Sequence, residues 1–151
     1  MRRNAGSEAT KWTTREREDE LQRIVEKAAV IAAVPIAMLS IVGRGRTWTY
    51  VRQTSKLNDI VPALPTAGQI YLRPGEPLIV LDTMLDRRHP ALQNDESTPP
   101  VRFFVGMPLV DRGGYVAGAL CLIDTAPRRE MPDFTEVFSL ARAAERLIMY
   151  F

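Results

Sequence analysis

Thiols and imidazoles are almost missing from this chain. Its 151 residues hold one cysteine, Cys121, and one histidine, His89. A single cysteine excludes an intrachain disulfide and a cysteine-built metal cluster, and a single histidine cannot complete an imidazole site. Long apolar runs are missing too. Nothing approaches the roughly 20 residues that a membrane helix needs. Met1 to Glu20 is polar and charged, without the apolar segment of a secretory signal. A surplus of one charge is also absent: the formal net charge is +2. Nucleic acid and membrane surfaces call for a concentrated basic patch, so neither is expected as a main partner. A cytoplasmic location is expected. Catalytic signatures are lacking as well. There is no Gly-x-Ser-x-Gly and no Ser/His/Asp constellation. Gly43-x-Gly45 and Gly113-Gly114 do not stand between a strand and a helix, as a phosphate cradle requires, and read as hairpin turns. No internal repeat or low-complexity tract is seen.

What is present is a chain with the apolar share, 46%, and charged share, 25%, of an ordinary globular protein. Its organising stretch is VRFFVGMPLVDRGGYVAGALCLIDTAPR, Val101 to Arg128. Arg102–Val110 and Tyr115–Ile123 are apolar runs joined by Asp111-Arg112-Gly113-Gly114, a hairpin signal. Neither run alternates cleanly, so both faces of the hairpin are expected to be covered, in the middle of a sheet.

The remainder arranges itself around that hairpin. Residues 1–14 are expected to be disordered or frayed, with one domain over 15–151. Thr14 is placed to cap a helix over Arg15–Ala33, with Leu21, Ile24, Val25, Ala28 and Ala29 at helical spacing and Pro35 as its stop. Ile36–Val42 and Thr47–Gln53 form a hairpin, the second strand nearer an edge because its polar positions need water. Thr54–Gly75 is a long loop with a short helix near Ala67–Leu72, of the kind that serves as a lid or binding element. Pro77–Leu81 is a strand, Asp82 caps a turn over Thr83–Arg88, and Gln93–Pro100 is a loop. Asp133 caps the last helix, with Glu136 set to complete a capping box. Its apolar stripe (Phe134, Val137, Phe138, Leu140, Ala141, Ala144, Leu147, Ile148, Phe151) is wide enough to meet both the sheet and a partner helix. The pattern continues to Phe151, so an effector is expected on further chain or on a separate one.

Potentially reactive groups have plain structural readings. Cys121 lies inside an apolar strand, where a thiol behaves as a small hydrophobe. His89 is a lone loop residue. Asp82 and Asp86 share one side of a turn as paired carboxylates would, but Asp82 is needed as a cap. Asp124, Pro127 and Arg128 make a corner between strand and helix. Arg44, Arg46, Arg52 and Lys56 flank one hairpin as a solvated face or as a rim that attracts an anion.

Arg102-Phe103-Phe104-Val105-Gly106-Met107-Pro108-Leu109, Gly114, Gly118-Ala119-Leu120-Cys121-Leu122-Ile123-Asp124 and Pro127-Arg128 together resemble the C-terminal signature of a GAF domain of the bacterial signalling type. Gly75–Asp82 with Asp86-Arg87 is similar to the preceding strand and aspartates of that family. The resemblance covers roughly Leu21 to Phe151. It implies an α+β fold: a central antiparallel β-sheet, terminal helices packed on one face, and a loop-covered pocket on the other, a PAS-related sandwich. It implies a non-enzymatic sensory or regulatory role in bacterial signal transduction. A small molecule would shift the terminal helices of a homodimer and so an effector domain or partner protein. The pocket candidates are Trp48, Tyr71, Phe103, Phe104, Met107 and Cys121. Parity alone leaves open which of them share a face.

Family ligands include cyclic nucleotides, haem, bilins and small acids, and the resemblance names no cofactor for this chain. It departs from the cyclic-nucleotide pattern, because Asn58 is followed by Asp59 rather than Lys. It has no cysteine on the segment that attaches bilin. Two alternatives stand beside sensing. One is a degenerate domain that only dimerises, its pocket filled by its own side chains. The other is a free methionine sulfoxide reductase-like enzyme, against which the lone Cys121 argues, since an oxidised thiol needs a resolving one.

Overall fold

The computed structural model describes residues 14–43, 45–53, 72–86 and 101–148. Helix α1 (Thr14–Ala32) is followed by strands β1 (Ile36–Gly43), β2 (Arg46–Gln53), β3 (Leu78–Val80), β4 (Phe103–Val110) and β5 (Val116–Asp124), and then by helix α2 (Thr135–Ile148). The strands form one antiparallel sheet in the order β2-β1-β5-β4-β3. The α+β architecture expected from the sequence is therefore observed. The expectations for residues 1–13, 54–71 and 87–100 lie outside the described residues.

The two hairpins follow from their turns. Gly45 and Gly114 have φ of 72° and 83°, a region that glycine enters freely. Asp111 adds its side chain to the second turn, accepting the Gly113 and Tyr115 N–H groups at 2.8 and 3.1 Å. Strand β5 is the middle of the sheet, and both β4 and β5 are buried over almost their whole length. This is the two-sided cover implied by their unbroken apolar runs. Strand β2 is an edge and keeps its polar residues Arg46, Thr47, Thr49 and Arg52 exposed.

Both helices pack on one face. Leu21, Ile24, Val25 and Ala28 of α1 and Val137, Ala141 and Ala144 of α2 share a core with Ala37, Leu39, Ile41, Phe103, Val105, Met107, Leu120 and Leu122. A second, smaller cluster occupies the opposite face of the sheet: Ile36, Met38, Val80, Val101, Phe104, Ala119, Cys121 and Ile123.

Helix ends depart slightly from the sequence reading. Helix α1 includes Thr14 and stops at Ala32. Ala33 lies outside it at φ 53°, where the Ala33 N–H donates to the Val30 carbonyl and the Val34 N–H to that of Ala29. At α2, Asp133 Oδ1 accepts both the N–H and the hydroxyl of Thr135, at 3.0 and 2.6 Å. The second partner of the cap is thus the Thr135 hydroxyl, not Glu136. The hydroxyl donates to this oxygen, whereas the Glu136 carboxylate could only accept, from the Asp133 N–H, and would order a longer side chain to do so.

Candidate functional site

The site is built from the alternation of the strands. Residues paired across antiparallel strands share a face, so the register Met38↔Cys121, Ser40↔Ala119 and Gly106↔Cys121 sets these side chains on the face away from the helices. Phe104, Val80, Leu78 and Val51 join them there, with Leu72 packed alongside. Small residues sit among the large ones. A Cβ on Gly106 would stand 3.0 Å from the Phe104 ring and 3.3 Å from Leu72, so glycine lets these two side chains close over the strand. Ser40, which is buried, adds a hydroxyl.

The five described pocket candidates divide between the faces. Phe104 and Cys121 meet on the distal face. Phe103 and Met107 are fully buried in the helix-side core, and Trp48 packs partly buried against it. Tyr71 lies outside the described residues. Phe103 is further committed by the Arg128 guanidinium, 4.7 Å above its ring.

Cys121 is enclosed, and burial pushes its thiol up to about 12. Such a group is neutral at physiological pH and lacks the thiolate that reactive cysteines present. His89, Lys56 and Arg44 fall outside the described residues. Arg46 lies 5.4 Å from the centre of the Trp48 ring, on the edge hairpin rather than on the distal face. Among the described residues no group of three His, Cys, Asp or Glu side chains is placed to hold a metal ion.

One end of the sheet, where β4 begins and β5 ends, is tied by two ion pairs. Asp82 accepts the Met84 N–H at 2.9 Å, the capping role expected of it, and also pairs with Arg102 at 3.1 Å. Arg102 was a residue whose partner the sequence did not indicate, because 20 positions separate the pair. Arg128 pairs with Asp124 at 2.9 Å and donates to the Ala33 carbonyl at 3.1 Å, joining the corner after β5 to the end of α1. The corner expected of Asp124, Pro127 and Arg128 is present, with a reach to α1 that local spacing did not suggest. A separate cleft of about 960 Å³ lies beside β3, between Ile79, Leu81 and Leu85 on one side and Pro127, Arg129 and Met131 on the other. No described helix is long and apolar enough to cross a membrane.

Comparisons with known proteins converge. The family model described as "GAF domain" matches residues 16–145. A Pseudomonas aeruginosa protein named cyclic di-GMP phosphodiesterase is 31% identical over 117 residues, which is 74% of this chain and 19% of that protein. The chain thus spans about a fifth of the length of this relative. Among solved structures, a domain of a Sinorhizobium meliloti two-component sensor histidine kinase protein superposes with a TM-score of 0.61 at 13% identity, over 85% of this chain and 88% of that one. The GAF domain of a sensor histidine kinase from Pseudomonas syringae pv. tomato gives 0.56 at 15% identity, over 96% and 79%. The domain GAF3 of a Synechocystis sp. protein, in its photoproduct state, gives 0.58 at 13% identity, over 87% and 90%.

Proposed function

The chain belongs to the GAF domain family, and from that premise we propose that it is a non-enzymatic sensory domain, one folded unit from residue 15 onward, which takes a small and largely apolar molecule on the distal face of its sheet. One observation carries the reading. The sheet is apolar on both faces, and the described helices cover only one of them. Phe104, Met38 and Cys121 supply apolar walls, Ala119 keeps the position beside Ser40 small, and Ser40 supplies a hydrogen-bonding group. Occupancy would act by population shift: a ligand that favours one arrangement of the helices over another biases the pair. The protein works in the cytoplasm, as a homodimer through its two helices, and passes its state to an effector domain or partner protein.

Supporting the dimer are Val30 and Ile31 of α1 and Phe138 of α2, apolar side chains left exposed on the helical layer. A domain that dimerises through this layer with no ligand is the second reading. Native mass spectrometry on protein purified gently from cells separates the two. The sensing reading expects a dimer with a reproducible extra mass, lost when Ala119→Leu fills the distal face. A clean dimer, together with no thermal shift from a broad metabolite library, would leave the dimerisation module standing instead.

A further inference from the structure

Helix α2 is attached to the sheet by more than its apolar stripe. Two of its polar side chains, three residues apart, reach the same end of β4. Arg142 Nη2 donates to the Pro108 carbonyl at 3.1 Å, and the Glu145 carboxylate accepts the Val110 N–H at 2.9 Å. The two are bridged to each other at 3.2 Å, so they act as one clasp. They grip the strand where its pairing is irregular: register with β5 shifts between Leu109 and Val110, which leaves Ala117 of β5 as the extra residue. A bulge takes backbone groups out of the ladder. The Val110 N–H finds its acceptor on a helix 35 positions along the chain. Glu145 is the sheltered prong, 13% exposed against 49% for Arg142, so its charge-assisted bond is the stronger of the two.

The strand held in this way separates the two cores. Phe103, Val105, Met107 and Leu109 point to the helices, while Phe104 belongs to the distal cluster. Movement of Phe104 therefore moves the backbone that α2 holds. Apolar contacts absorb a small slide by changing rotamers, whereas a hydrogen bond weakens steeply as its angle opens. We propose that the Arg142–Glu145 clasp on the end of β4, opposite the β5 bulge, is the point at which a displacement arising on the distal face is transmitted to α2. The direction of that signal rests on the sensing reading. The link itself requires no ligand to be tested, so an empty distal face and a silent clasp are separate outcomes.

Hydrogen exchange read by mass spectrometry tests the link with a mutation as the disturbance. Phe104→Leu loosens the distal face. In the native background it is expected to speed exchange of the α2 amides from Ala141 to Ile148 about fivefold, the scale of one hydrogen bond. In an Arg142→Ala/Glu145→Ala background the same substitution is expected to change those amides less than about twofold on that scale. Both replacements favour helix, so α2 itself is not weakened. Gln22→Ala breaks a different helix–sheet bond, to the Val51 carbonyl, and is expected to leave the response intact. An equal response with and without the clasp would overturn the proposal in favour of transmission through the apolar core. No response in the native background would overturn it outright. Should Phe104→Leu or the double variant fail to fold, Cys121→Ala and the single Glu145→Ala, which removes the acceptor of the Val110 N–H, replace them, with the same two results expected.

Discussion

The Cys121 thiol lies opposite Met38 on one neighbouring strand and Gly106 on the other, away from water. Its ordinary value of 9.0 is raised to about 12 by that burial. Below pH 9 the thiol is neutral in folded and unfolded chains alike, and its full contribution is present. Between pH 9 and about 12 the unfolded chain releases a proton that the folded chain keeps, so stability falls as pH rises. Denaturant titrations across this window are expected to show a steeper alkaline loss for the native chain than for Cys121→Ala. Alkylation by iodoacetamide at neutral pH is expected to be slow until denaturant exposes the residue. Ala33 is a second residue whose conformation costs free energy. An L-residue at φ 53° is strained, and the side chain is exposed, so no packing is lost by removing it. Ala33→Gly is expected to raise stability by about 0.5–1 kcal/mol, read as a shifted denaturation midpoint with an unchanged slope.

Strand β5 meets β1 so closely that one position tolerates no side chain. A Cβ on Gly118 would collide with the Ser40 carbonyl oxygen, which is backbone and cannot rotate away. Gly118→Ala is expected to cost about 2 kcal/mol or more in equilibrium unfolding by separating the two strands locally. The elements themselves were legible, because continuous apolar runs at β4 and β5, helical periodicity in α1 and α2, and glycine turns are all local signals. The faces were not. In a strand covered on both sides, neighbours such as Phe103 and Phe104 are equally apolar, and nothing in their order says which one meets the helices. On β2 the alternation does group Trp48 with Tyr50, and it is α1 and α2 that decide which side the pair takes. The contacts that bind elements together were also invisible. Glu145 reads as one more charged residue on a helix, and Arg128 reaches an acceptor 95 positions away. Such pairs are created by the fold rather than by spacing.

At the scale of the molecule the helical layer has an outward side. Val30 is 69% exposed, Ile31 42% and Phe138 38%, and a groove of about 270 Å³ runs past Glu26, Lys27, Val30, Ile31 and Arg52. Light scattering is expected to find a dimer at micromolar concentration, and Val30→Glu/Ile31→Glu is expected to weaken it about tenfold or more by placing charge in the buried centre. A monomer in the native chain would rule this surface out. The attachments also orient the two helices. Arg128, over Phe103 at the start of β4, holds the end of α1, while Arg142 and Glu145, late in α2, hold the end of β4. Helix α1 therefore runs against β4 and α2 runs with it, which brings Thr14 and Ile148 to the same pole of the domain. A tension applied between these two points would peel the helices apart one turn at a time rather than shear them along their length. Mechanically the domain is a side loop closed by a zipper, and the Glu145 clasp stands close to where the zipper would begin to open.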